Sequence, residues 1–310
     1  MKQFLMIMML SVAGAAYAET WRLESENLLI SDSDDASQRL HLLGVIADLP
    51  SAGSKAGLSL GSWRFDEAAG TENFDVLRLS YDWAITEKAA VFASLHALDG
   101  DDWSPMLASI RGVHSFSEQW RIEASAEKGI IDSVAGIRQK LGNETYNASV
   151  DWHFSEQWTV VAALMSMPID DGNERNGGVL RFIYELPQIT GFNLQTRSKM
   201  LKSDFNGMGY FSPPVLQEHL LLVGYRGAAF NASWVFSLLA GAGNQNIETE
   251  FDESIRNELY YLELNARGWF NDNVGLESKG YCSNTGGPNL GAPDDSYRYC
   301  SLLFSIIGSF

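Results

Sequence analysis

The chain is poor in the residues that usually announce a chemical site. Of its 310 residues only five are histidine and two are cysteine. His41, His96, His114, His153 and His219 stand apart, outside any Gly-x-Ser-x-Gly or His-Glu-x-x-His setting, so no hydrolase or zinc-protease signature is present. No histidine lies near either cysteine, and a structural zinc needs about four ligands, so neither metal nor other cofactor is expected. Basic residues are also scarce. Lysine and arginine number 22 against 39 acids, a net charge of −17, which argues against nucleic acid and against attraction to anionic lipid. After the first 18 residues no apolar run approaches the ~18 residues that a membrane-crossing helix needs.

The first 18 residues read differently. Met1 to Ala18 combine Lys2, an apolar stretch from Phe4 to Leu10, and a small-x-small end at Ala16-Tyr17-Ala18. That is the layout of a secretory signal, too short in its apolar part to anchor as a helix. Cleavage after Ala18 is expected, leaving 19–310 as one exported domain.

What the exported part does contain is repetition. Phe-Ser-Glu-Gln-Trp occurs at Phe116–Trp120 and again at Phe154–Trp158, with looser copies at Ile85–Ala89 and Phe270–Val274. Each is a short polar turn between bulky residues, suited to joining antiparallel strands at one rim of a sheet. Further short turns are expected at Leu49–Gly53, Pro187–Gly191 and Arg226–Ala229. Between successive turns lies one longer polar segment carrying acids. These include Asp32, Asp34 and Asp35; Asp66, Glu67 and Glu72; Asp99, Asp101 and Asp102; Asp170, Asp171 and Glu174; Glu248, Glu250, Asp252 and Glu253; and Asp294 and Asp295. Seven short turns alternating with eight long loops predict 16 strands with both termini at one end.

The intervening segments alternate in polarity with a period of two. Leu77, Leu79, Tyr81 and Trp83 alternate with Arg78, Ser80 and Asp82; Tyr260, Leu262 and Leu264 alternate with Tyr261, Glu263 and Asn265. A soluble sandwich also alternates, and composition, at 45% hydrophobic, does not separate the two. Two features favour a membrane barrel. Trp83, Phe116, Trp120, Trp152, Phe154, Trp158, Phe192, Tyr225, Phe230, Trp269 and Phe270 cluster beside the short turns, as an interfacial aromatic belt does. Leu302, Phe304, Ile306 and Phe310 share one face of a last strand, which resembles the C-terminal signal of bacterial outer-membrane barrels. The expected fold is all-β: a transmembrane antiparallel up-and-down barrel in a Gram-negative outer membrane, in contact with its lipid and lipopolysaccharide.

Cys282 and Cys300 flank the last long loop and share the lipid-facing parity of strands 15 and 16. In an oxidising compartment a bridge between them is expected. Asp32-x-Asp34-Asp35 offers hard oxygen ligands for calcium, or is simply a solvated loop. By parity Arg78, Arg111, Arg121, Glu123, Glu127, Asp151, Arg181, Glu185, Arg197, Lys199, Glu263 and Arg267 face inward as candidate channel-lining residues. Charges at that depth suit either a wet pore or a paired network filling the interior.

Two segments resemble a family. Gly209-Tyr210-Phe211-Ser212-Pro213-Pro214, before a strand from about Glu218 to Tyr225, resembles a segment in the barrels of bacterial exopolysaccharide export porins, those for cellulose and poly-N-acetylglucosamine. Gly129-Ile130-Ile131-Asp132-Ser133-Val134-Ala135-Gly136 resembles another, placed earlier in the same barrels. The resemblance implies a 16-stranded barrel in which Asp132, Ser133, Tyr210, Phe211, Ser212 and Pro213 constrict the channel or anchor its loops. It also implies export of a polysaccharide. Those exporters carry periplasmic helical repeats before the barrel, whereas strand one here begins near Trp21, so a separate periplasmic scaffold or synthase protein is the expected partner. A general porin, or a structural or interaction barrel without export activity, is the alternative. The overall negative charge favours a neutral or partly cationic glycan.

Overall fold

A strand that alternates in polarity for ten residues or more has one apolar and one polar face, and needs a neighbour on each edge. The computed structural model describes residues 20–33, 35–50, 53–207, 210–230, 233–248, 254–284 and 298–309. The expected signal at 1–18, Asp34, Gly209, Glu250, Asp252, Glu253, Asp294, Asp295 and Phe310 lie outside them. The first strands are β1 (Thr20–Asp32), β2 (Ser37–Asp48), β3 (Lys55–Glu67) and β4 (Gly70–Thr86). They are followed by β5 (Ala89–Gly100), β6 (Met106–Ser115), β7 (Trp120–Ile130) and β8 (Gly142–His153). Next come β9 (Trp158–Pro168), β10 (Glu174–Glu185), β11 (Phe192–Ser203) and β12 (Val215–Ala229). The last are β13 (Trp234–Glu248), β14 (Ser254–Trp269), β15 (Val274–Ser283) and β16 (Tyr299–Ser309). A single short helix, α1 (Val134–Arg138), interrupts them among the described residues.

Each strand pairs antiparallel with its sequence neighbours, and β1 closes on β16 from Arg22 opposite Ser309 to Asp32 opposite Tyr299. The result is a closed up-and-down barrel of 16 strands with no free sheet edge. Both ends of the described chain lie at the rim of seven short turns: 49–54, 87–88, 116–119, 154–157, 186–191, 230–233 and 270–273. Six fall where the sequence predicts them. The turn expected at Arg226–Ala229 is instead the end of β12, where Ala228 and Ala229 pair with Val235 and Trp234. The chain reverses at Phe230, whose φ is 53°.

The opposite rim corrects a second expectation. Its eight connections are not uniformly long: 68–69 is a two-residue turn, and 33–36, 101–105, 169–173 and 249–253 are short. Several acidic residues there lie on strand ends rather than in loops, with Asp66 and Glu67 in β3, Glu72 in β4 and Asp99 in β5. The long connections are 131–141, 204–214 and 284–298.

Register fixes which face each side chain takes. Leu43, Leu60, Leu164 and Leu221 point outward and are 65%, 59%, 71% and 63% exposed. A continuous outer band of such residues suits hydrocarbon rather than water. At the short-turn rim Trp120 stacks on Trp152 at 5.2 Å, and Trp158 meets Tyr184 at 4.7 Å. Trp269 departs from this belt, sharing the inward parity of Arg267 and lining the lumen. Cys282 and Cys300 stand directly opposite one another on the outward face of β15 and β16 and are bridged.

Candidate functional site: a charged lumen beneath a lid

The register puts all twelve charged residues singled out by parity on the inner face, from Arg78 on β4 to Arg267 on β14. Half of them are ion-paired. Arg78 pairs with Glu26 at 2.7 Å and lies 4.0 Å from Glu24, across the interior from β4 to β1. Glu123 sits between Arg111 at 3.8 Å and Arg121 at 3.6 Å. Lys199 meets the buried Glu218 at 3.4 Å, and Arg267 meets Glu277 at 3.9 Å. Arg22 pairs with Asp48. Glu24, Glu26, Arg78, Arg111, Glu127 and Arg267 line one cavity of about 600 Å³. Glu127, Asp151 and Glu185 face the lumen with no carboxylate–cation contact within 4.0 Å among the described residues.

The wall formed by β10 to β16 differs. Arg181 and Arg197 are directly opposed across β10 and β11. Arg181 donates its Nε to Gln195 Oε1 at 2.6 Å, and Gln195 donates in turn to Asn193 at 2.6 Å. Arg197 lies over the Tyr261 ring, 4.3 Å from its centroid. The Tyr261 hydroxyl donates to Glu263 at 2.5 Å, and Asn265 donates to the same carboxylate at 2.9 Å. Tyr261, Tyr281 and Tyr299 form an inward series of rings with centroids 6.2 and 5.5 Å apart.

Three connections at the loop rim pack into one lid. The first, 131–141, turns into the barrel through α1. Ser133 is its N-cap, accepting from Gly136 N at 2.9 Å, and the Ser133 carbonyl accepts from Ile137 N at 2.9 Å. Val134 and Ile137, three apart and so on one side of the helix, pack against Leu40, Leu42, Phe65, Phe74, Val76 and Leu98 on the inner wall. Gln38 donates to both the carbonyl and the carboxylate of Asp132, at 2.8 and 3.1 Å. Arg138 donates to Glu72 and to the Ala69 carbonyl, each at 2.7 Å. Gly70, with φ of 133°, leaves room for this clamp: a Cβ there would stand 2.5 Å from the Arg138 guanidinium.

The second and third connections lock onto the first. Gly142 N donates to Asp170 Oδ2 at 2.8 Å, and Ile131, Leu141 and Ile169 form an apolar cluster with Met167 and Tyr210. Asn173, on 169–173, is buried at the centre of 204–214. It donates to the Phe205 carbonyl at 2.9 Å and the Tyr210 hydroxyl at 3.0 Å, and accepts from Asp204 N at 3.1 Å. Ser212, fully buried, accepts from Gly207 N at 2.6 Å, and Pro213 is buried beside it. The Phe211 carbonyl accepts from Arg175. Tyr210 donates to Asp171 at 2.7 Å; burial first, and then that bond, push its phenol above the usual pKa.

The six residues marked by resemblance thus fall in two segments of one lid. Strand alternation does not mark Asn173, Arg138, Gln38 or the apolar inner wall. A signal for that wall was present: Leu40 and Leu42 break alternation by being apolar at inward positions beside outward Leu43.

No family model matches the chain, and no curated protein matches it in sequence. In fold it is similar to a solved structure described as a bacterial polysaccharide outer membrane secretin. The TM-score is 0.71 at 12% identity, covering 94% of this chain and 98% of that one. It is also similar to OccD3 (OpdP) of Pseudomonas aeruginosa, with a TM-score of 0.51 at 8% identity, over 96% and 94% of the two chains. At such identities the likeness is one of fold: a closed 16-strand antiparallel barrel like those of outer-membrane porins.

Proposed function

We propose that this chain is a lidded, polar conduit in the outer membrane of a Gram-negative cell through which a sugar polymer is exported. A separate periplasmic scaffold or synthase would deliver the polymer. The observation that carries this reading is the inward series Tyr261, Tyr281 and Tyr299 beside Arg197, Glu263 and Asn265. A pyranose presents an apolar face and a rim of hydroxyls, and is held by an aromatic plane flanked by planar polar side chains. An inner wall of paired charges admits water and polymer alike, and 16 strands give sufficient width for an aqueous pore. The description of the secretin-like neighbour points to the same class of cargo. The apolar seat of α1 makes the closed lid the resting state, because Val134 would be exposed to water on opening.

Single-channel conductance of the refolded barrel in planar bilayers tests this directly. Wild-type protein should conduct rarely, and replacing 206–213 by a short Gly-Ser turn should raise the conductance. A strain lacking the protein should lose surface polysaccharide. Unchanged conductance together with unchanged surface polysaccharide would favour a barrel with a structural role.

A further inference from the structure

Like charges directly opposite one another on a sheet are destabilising unless something neutralises them. Arg181 and Arg197 occupy such a position on the inner wall. Elsewhere in the lumen Arg22, Arg78, Arg111, Arg121, Lys199 and Arg267 each meet a carboxylate within 4.0 Å. Among the described residues neither Arg181 nor Arg197 does. The carboxylates whose charge reaches Arg181 are Glu263 and Asp151. Glu263 is already held by the Tyr261 hydroxyl and Asn265, and Asp151 stands two strands away on β8.

Both guanidinium groups are also fixed in place. Arg181 is steered by the buried Gln195, which is itself tied to Asn193. Arg197 stands over the Tyr261 ring, and its buried Nε has no hydrogen-bond partner among the described residues. Two guanidinium forks on the inner wall, neither with a carboxylate within 4.0 Å among the described residues, suit an oxyanion, which a guanidinium binds in bidentate fashion. Little conformational freedom remains to be lost when one binds.

We infer that Arg181 and Arg197 form an oxyanion subsite in the lumen, which takes a carboxylate carried by the passing solute, such as a uronate or a carboxyl-bearing substituent on a sugar. Tyr261, Tyr281 and Tyr299 stand beside it to flank the adjoining ring. This rests on the conduit reading but not on the direction of transport. It reverses the expectation drawn from net charge: the −17 describes the whole chain, while the solute meets the local wall.

Equilibrium binding to the refolded barrel by titration calorimetry tests the subsite, using a short oligoglucuronate and a neutral gluco-oligomer of equal length. The oligoglucuronate should bind more tightly. Arg181→Gln and Arg197→Gln should each weaken it about tenfold, in keeping with the loss of a charge-assisted bond, without changing the neutral oligomer. Arg181→Lys and Arg197→Lys keep the charge but lose the fork, and should fall between. Arg64→Gln, an exposed outward residue paired with Asp66, removes the same charge elsewhere and should change nothing. Equal binding of the two oligomers, or wild-type affinity in the doubly substituted Gln barrel, overturns the subsite. Preference for the uronate in a barrel that never conducts would sink the conduit reading and leave the subsite standing.

Discussion

Arg138 and Glu72 join the inserted helix to the barrel wall, Nε to Oε1 at 2.7 Å, across 66 residues of sequence. The guanidinium is half exposed, so the pair by itself is worth only about 0.2–1 kcal/mol. The stronger hold is apolar. Val134 is fully buried against the inner wall of β2 to β5, and a carboxylate placed there costs several kcal/mol unless it reaches water.

Val134→Asp should therefore eject α1 and leave the barrel closed on itself, raising mean conductance and open time. Arg138→Ala should produce a smaller change in open time of the same sign. Heat-modifiable gel migration checks that the barrel persists. A Val134→Asp channel that conducts as the wild type does would show that α1 is not an obstruction.

Asn173 makes a separate prediction about the second half of the lid. Truncation to alanine removes the amide that bonds Asp204, Phe205 and Tyr210 at once, at about 1–3 kcal/mol for each group left unsatisfied. External protease should then cut 204–214 in Asn173→Ala while sparing the rest of the barrel. Tyr210 adds a pH dependence. Its phenol has a raised pKa, so its contribution is complete below the ordinary tyrosine value and is lost as pH climbs through the raised one. Protease sensitivity should rise at strongly alkaline pH in the wild type, and Tyr210→Phe should be more sensitive at neutral pH but lack the alkaline step. An identical alkaline step in Tyr210→Phe would assign it to another group.

The barrel was legible because lipid outside and polar side chains inside impose alternation on every strand, as Leu77 to Trp83 display. The shifted turn has a physical cause: Gly227, Ala228 and Ala229 look like turn residues, yet all three pair in the ladder. Acidic residues misled on loop length because strands extend beyond the apolar band, and Asp66 bonds Arg64 and Thr71 within a hairpin. The lid was legible only through resemblance at Asp132 and Tyr210. A five-residue helix has no periodicity to read, and Asn173 acts through contacts 31 to 39 residues away.

The Cys282–Cys300 bridge closes a loop with a sequence separation of 18, for which chain-entropy arguments give about 3 kcal/mol. Because β15 and β16 are also held by their ladder, reduction should lower resistance to denaturant by up to that amount without opening the barrel. Unfolded protein should migrate differently after reduction, and alkylation without reductant should label neither cysteine. Full labelling of both in oxidised envelopes would refute the bridge.

The orientation of the wall itself can be tested at two neighbouring strands. Leu164 on β9 points outward and Ser149 on β8 points inward near Glu123. In hydrocarbon, an arginine at Leu164 costs about 2–4 kcal/mol near the bilayer midplane. At Ser149 the same side chain meets a carboxylate and a polar lumen. Leu164→Arg should accordingly lower the urea midpoint of the barrel in lipid vesicles, and Ser149→Arg should leave it nearly unchanged. Had the outer wall faced water, exchanging an exposed leucine for arginine would be neutral or favourable. Equal midpoints for the two variants would therefore reject the membrane orientation, and with it the conduit.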